Sequence, residues 1–135
     1  CLILPRTMVG QARMHITRLD HIQLAMPKGE EEKARAFYEG LLGIPEEPKP
    51  SNLAVRGGCW FERGSLKIHL GIDPEFVPAR KAHPAFIVKE LAKLIETLTA
   101  AGVSVVDDEP LIGYARCYIS DPFGNRIELM EQLAS

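Results

Sequence analysis

The sequence predicts an α+β fold of two βαβββ modules whose sheets curve into an open, barrel-like cup with the helices outside. Three observations predict it. Two stretches open alike, His21-Ile22-Gln23-Leu24-Ala25-Met26 and His83-Pro84-Ala85-Phe86-Ile87-Val88. Each is followed by one helical stretch and then by short strand-like runs. Each copy also closes on a strand with a potential metal ligand at its middle, in Lys67-Ile68-His69-Leu70 and in Arg126-Ile127-Glu128-Leu129.

The elements follow in order. Residues 18–26 read as a first strand, broken by Pro27-Lys28-Gly29. Glu30-Glu31-Glu32 starts a helix with acidic residues where the macrodipole favours them. Ala34, Phe37, Tyr38, Leu41 and Leu42 give it one apolar stripe, and Gly43 ends it. Glu46 to Pro50 reads as a loop. Leu53-Ala54-Val55 and Cys59-Trp60-Phe61-Glu62 read as two short strands around a tight turn at Gly57-Gly58. Ser65 to Ile72 is a fourth strand. The second copy gives a strand over 83–89 and a helix over Glu90 to Ala101, with Leu91, Leu94, Ile95 and Leu98 on one face and Gly102 beyond its end. Strands over 103–106, 114–120 and 126–131 complete it, the last two joined by a turn at Asp121-Pro122-Phe123-Gly124-Asn125. The expected organisation is therefore an N-terminal extension over 1–17, a first module over 18–73, a linker over 74–82 and a second module over 83–135. Residues 1–13, ahead of Met14, read as an upstream extension.

Parity turns this pattern into a site. Successive side chains on a strand point to opposite faces. Ile22, Leu24 and Met26 oppose His21; Ile68, Leu70 and Ile72 oppose His69. Phe86 and Val88 oppose His83; Ile127 and Leu129 oppose Glu128. Each apolar set packs under a helix, so each polar residue faces the cup. A lone strand histidine is ordinarily a surface or hydrogen-bonded residue. Four in matching positions single out a metal set: His21, His83, Glu128 and His69. Imidazole and carboxylate suit zinc, nickel, manganese, cobalt or iron(II), and leave coordination positions for water or substrate. His69 is the one that reads equally as a ligand, a base or a supporting residue. The same parity puts Trp60, Glu62, Lys67, Arg116 and Tyr118 on the cup face. Trp60 would be a pocket wall, Lys67 and Arg116 would bind an anionic group, and Tyr118 would hydrogen-bond a reacting oxygen. Cys117 falls on the helix side and reads as a buried, inert thiol.

Bulk properties narrow the function classes. The 135 residues are 46% hydrophobic and 25% charged, with a net charge of −2. That gives no electrostatic case for nucleic acid or an anionic membrane. No apolar run approaches the ~18 residues of a membrane span. The three cysteines, Cys1, Cys59 and Cys117, match no zinc spacing or disulfide framework, so a reducing cytoplasm is expected. Open strand edges in each module favour a homodimer.

Three stretches carry a resemblance. Leu19-Asp20-His21-Ile22, the helix pattern Phe37-Tyr38 with Leu41-Leu42-Gly43, and Asp121-Pro122-Phe123-Gly124-Asn125-Arg126-Ile127-Glu128-Leu129 resemble the vicinal oxygen chelate superfamily over residues 18–132. That superfamily includes glyoxalase I, fosfomycin-thiol transferases, extradiol dioxygenases, methylmalonyl-CoA epimerase and bleomycin-resistance proteins. The resemblance implies the glyoxalase/bleomycin resistance/dihydroxybiphenyl dioxygenase fold, a divalent metal in the cleft and substrates that chelate it through adjacent oxygens. It implies metal ligands at His21, His83 and Glu128. His69 stands where glyoxalase I carries a glutamate ligand, and the fosfomycin enzymes need no ligand there. Tyr118 and Trp60 fall where those enzymes place pocket aromatics. The potassium-binding loop of the glutathione-dependent type is not recognisable. Bleomycin-binding members lack metal ligands. The function implied is a lyase, isomerase or thiol-transferase acting on a small oxygenated anion, with Glu128, His69 and Tyr118 as catalytic groups. The alternatives are an antibiotic-sequestering protein or an extradiol-type dioxygenase.

Overall fold

In the computed structural model, which describes residues 13–134, the two modules are two separate four-stranded sheets. In the first, β1 (Ile22–Met26) leads to helix α1, an α-turn over Glu31–Ala34 that continues as a π-helix over Arg35–Leu41. Then come β2 (Glu46–Glu47), a single helical turn α2 (Ser51–Ala54), β3 (Cys59–Arg63) and β4 (Leu66–Ile72). The second module runs β5 (Ala85–Ile87), α3 (Leu91–Ala100), β6 (Val105–Val106), β7 (Tyr114–Ser120) and β8 (Arg126–Gln132). The sheet orders are β1-β4-β3-β2 and β5-β8-β7-β6, so the repeat read from the sequence is a repeat of topology. In each copy the first and last strands pair in parallel and the rest are antiparallel. The expected extension over 1–13, with Cys1, lies outside the described residues except for Arg13. No helix among the described residues is long and apolar enough to cross a membrane.

The parity argument explains the core. Met26, Ile68 and Leu70 of the first sheet and Ile127 and Leu129 of the second are essentially inaccessible. They join Ala34, Phe37 and Tyr38 of α1 and Leu91 and Leu98 of α3 in one contiguous apolar cluster. Tyr38 stacks on Phe61 of β3 with ring centroids 5.4 Å apart. Cys59 and Cys117 are buried free thiols in this layer, and burial pushes the Cys59 thiol up to about 11. The helix-facing placement expected of Cys117 is what its neighbours show.

Three local expectations are corrected. Leu53-Ala54-Val55 is not a strand: Ser51–Ala54 form a helical turn behind Pro50, whose φ of −53° suits a helix start. The stretch 46–50 is not all loop, because Glu46–Glu47 add an edge to the sheet against Trp60 and Phe61. The strands expected over 18–26 and 83–89 are short, so His21 and His83 sit on the approaches to β1 and β5. Gly57 and Gly58 do turn the chain, at φ +76° and +82°, but out of a helical turn and not within a hairpin. A Cβ on Gly58 would lie 2.1 Å from the Leu70 carbonyl oxygen, so only glycine lets β3 enter the sheet there.

The closing Asp121 to Asn125 segment is a lock between modules. The Asp121 carboxylate accepts from the Phe123 and Asn125 amides through Oδ1, and from the Asn125 side-chain amide through Oδ2. The Tyr38 hydroxyl of the other module donates to the same Oδ2 at 2.6 Å. Asn125 Nδ2 also donates to the Ala25 carbonyl of β1 at 2.8 Å. Burial, reinforced by the Asp121 charge, pushes the Tyr38 phenol well above its ordinary value of 10.0. A folded pKa above the unfolded one means that the neutral phenol's contribution is complete below about pH 10 and is lost as pH rises beyond it. Unfolding midpoints of wild type and Tyr38→Phe should therefore keep a constant gap below about pH 10 and draw together as pH rises above it. A gap that stays constant as pH rises further would contradict the assignment.

Candidate functional site

The cup faces of the two sheets carry two separate clusters. On the first sheet, register sets Trp60 opposite His69 and Glu62 opposite Lys67, while Gln23 lies beside His69 in the parallel pair. The His69 ring is sandwiched. Trp60 stacks on one side with centroids 4.1 Å apart, and His21 stacks on the other at 4.3 Å. His69 is only 6% exposed, and its Nε2 is 2.7 Å from Glu62 Oε2. His21 Nδ1 is 2.9 Å from Asp20 Oδ2, and Lys67 sits 3.6 Å from the other Asp20 oxygen. The hydrogen bond from His21, then the Lys67 charge, lower the Asp20 pKa below its ordinary value. Each imidazole thus has one nitrogen held by a carboxylate and the other left over. That is how histidine ligands and bases are oriented in proteins.

On the second sheet, Tyr118 lies directly opposite Glu128, and Arg116 is two residues along β7. Glu128 is 7% exposed. Arg116 Nη1 donates to Glu128 Oε2 at 3.1 Å and to the Tyr118 hydroxyl at 3.2 Å. Burial opposes the Arg116 charge, but the bonds to Glu128 and Tyr118 leave its pKa raised. The Arg126 guanidinium lies 3.9 Å over the Tyr118 ring centroid, a cation–π contact that holds the ring in place. His83 Nδ1 is 3.0 Å from the Lys81 carbonyl oxygen, and its Nε2 is 3.1 Å from Glu128 Oε1.

This last pair tests the fit of a metal. A carbonyl oxygen only accepts, so Nδ1 of His83 carries a proton. In the neutral ring Nε2 then presents a lone pair to a carboxylate oxygen. Two lone pairs at that distance need a cation to share, whether a second proton or a metal ion. The donor set and its supporting bonds therefore fit a divalent ion of the borderline type.

The eight sequence-derived candidates all lie on the cup faces, but as two groups. His21, His69, Trp60 and Lys67 share one sheet; His83, Glu128, Tyr118 and Arg116 share the other. Among the described residues no set of three or more His, Cys, Asp or Glu side chains is gathered into a metal site. Within one chain the four expected ligands form two pairs, His21 with His69 and His83 with Glu128. The expected anion binders are both engaged, Lys67 with Asp20 and Arg116 with Glu128 and Asp108. The sequence reading missed Asp20, Gln23 and Arg126. All three had a signal available: Asp20 precedes His21, and Gln23 and Arg126 share parity with His21 and Glu128.

The sequence profile of the Glyoxalase/Bleomycin resistance protein/Dioxygenase superfamily matches residues 18–129. No curated protein matches the chain. A glyoxalase family protein from Bacillus anthracis of known crystal structure is 48% identical, with 90% of this chain and 100% of that one covered and a TM-score of 0.86. A glyoxalase/dioxygenase from Nostoc punctiforme is 18% identical over 99% of both chains, with a TM-score of 0.74. The fosfomycin resistance protein FosX from Listeria monocytogenes is 20% identical over 87% of this chain and 95% of that one, with a TM-score of 0.70. The last two likenesses are of fold alone.

Proposed function

Because the chain belongs to the Glyoxalase/Bleomycin resistance protein/Dioxygenase superfamily, we propose that it is a divalent-metal enzyme acting on a small oxygenated anion, with each site completed across a homodimer. The reaction type we assign is lyase, isomerase or thiol transfer. The observation that carries this is the His83 Nε2–Glu128 Oε1 pair, 3.1 Å apart, with His83 Nδ1 engaged by the Lys81 carbonyl oxygen. His83 and Glu128 of one copy and His21 of another would hold the ion. A divalent ion there supplies Lewis-acid polarisation of a substrate oxygen.

The chain's own groups do the rest. Lys81 fixes the His83 ring so that Nε2 faces the cup. Arg116 Nη1 donates to Glu128 Oε2 and holds that side chain in place. The Tyr118 hydroxyl, 3.4 Å from Glu128, is placed to donate to a reacting oxygen. His69, held by Glu62 between two rings, is the proton carrier. Such proton transfer contributes typically ~10²–10⁴-fold.

Pairing of two copies is supported by what each copy leaves open. Leu19 and Ile87, 74% and 61% exposed, flank a cleft of about 350 Å³ that His21 also lines. Apolar side chains around a candidate ligand are suited to burial against a second copy. Protein purified without chelator should retain about one divalent ion per chain and sediment as a dimer. It should turn over a hemithioacetal or an epoxide with thiol or water. Turnover confined to iron(II), oxygen and catechols would replace this reading by ring-cleaving dioxygenation. Tight antibiotic binding without ion or turnover would replace it by sequestration.

A further inference from the structure

A pocket of about 270 Å³ beside the His69 cluster has no role in the scheme above. Its lining includes Gln23, Lys49, Leu53, Arg56 and Trp60. The unexpected helical turn α2 makes it: the turn carries Leu53 and leads straight into Arg56. Glycines set its floor. A Cβ on Gly71 would meet the Gln23 amide nitrogen at 2.5 Å, so the glycine lets that amide lie flat along β4.

Its cations differ from the others on this face. Lys67 is matched by Asp20, and on the second sheet Arg116 is matched by Glu128. Among the described residues neither Lys49 nor Arg56 forms an ion pair, and Lys49 donates only to the Gly57 carbonyl oxygen. Two unmatched positive charges, a donor amide and the indole wall of Trp60 describe a receptor for an oxyanion on a short apolar arm. Trp60 also stacks on His69, so the pocket and the His69 cluster share this ring as a wall.

We propose that this pocket is the subsite for the substrate's anionic tail, a phosphonate or carboxylate group held by Lys49 and Arg56 with its carbon arm against Trp60. The inference rests on the functional reading above for the word substrate, but the binding it asserts does not need the metal. It moves the anion-binding role from Lys67 and Arg116 to Lys49 and Arg56.

Trp60 is the only tryptophan in the chain, so its fluorescence reports occupancy directly. Metal-free full-length protein would be titrated with n-propylphosphonate, with butyrate and with n-propanol. Saturable change is expected with one or both anions and none with the alcohol; which anion binds more tightly distinguishes phosphonate from carboxylate. Lys49→Gln and Arg56→Gln should each weaken binding by about tenfold or more, while Lys49→Arg and Arg56→Lys largely retain it. Glu128→Gln should leave the titration unchanged. An equal response to n-propanol, or undiminished affinity in folded Lys49→Gln and Arg56→Gln proteins, would overturn the proposal. A flat titration with metal retention intact sinks the subsite alone; saturation without metal retention sinks the metalloenzyme reading alone.

Discussion

Replacing Glu128 by Gln is expected to lower divalent-ion affinity by at least about a hundredfold and to abolish turnover. The substitution keeps the shape of the side chain and removes only the charge. Glu128 is the sole carboxylate among the proposed ligands, so the ion loses its one anionic partner. The change also leaves Arg116 facing a neutral amide, where it had a carboxylate at 3.1 Å. Gln still accepts a hydrogen bond, so the β7–β8 ladder should persist and far-UV circular dichroism should match wild type. Competition with a fluorescent chelator measures the loss. Retention of both ion and activity would remove Glu128 from the site.

Asp121→Ala is expected to act on the fold. Four hydrogen bonds end on this buried carboxylate: two backbone amides, the Asn125 side chain and the Tyr38 hydroxyl. Removing the acceptor leaves these donors, Tyr38 among them, without their partner in the interior. The loss is about 4 kcal/mol or more, on the scale of buried polar networks. The melting temperature should fall by about 10 °C or more. Asp121→Asn should be intermediate, because its carbonyl oxygen can still serve the two backbone amides. The most family-specific motif in the chain would then be a structural joint supporting Glu128, three residues beyond Asn125. Loss of activity with an unchanged melting temperature would instead make Asp121 a participant in chemistry.

Most of the architecture was legible because it rests on period. Alternation in β1, β4, β7 and β8 and the stripes of α1 and α3 follow from burying one face of each element. Parity also separates His69 from Ile68 and Glu128 from Ile127, and the isoleucine of each pair lies in the buried apolar cluster. Parity does not tell which sheet cluster meets which. His21 and His83 look equivalent in the repeat, yet one stacks on His69 and the other meets Glu128. Nor does it weigh competing charges. Arg116 and Lys67 read as free cations until cross-strand register supplied Glu128 and the segment leading into β1 supplied Asp20. Leu53-Ala54-Val55 misled because three apolar residues are too few to carry a period, and Pro50 then decides in favour of a helical turn.

The central claim is that each site takes one pair of side chains from each of two copies. Co-assembly of His21→Ala chains with Glu128→Gln chains tests it most directly, with bound divalent ion as the readout. Neither variant alone should hold the ion tightly. In mixed dimers one site carries both substitutions and the other carries neither. The mixture should therefore recover about a quarter of the wild-type sites. A mixture that binds no more ion than its parents, beside a wild type that binds fully, would place the whole site within one chain.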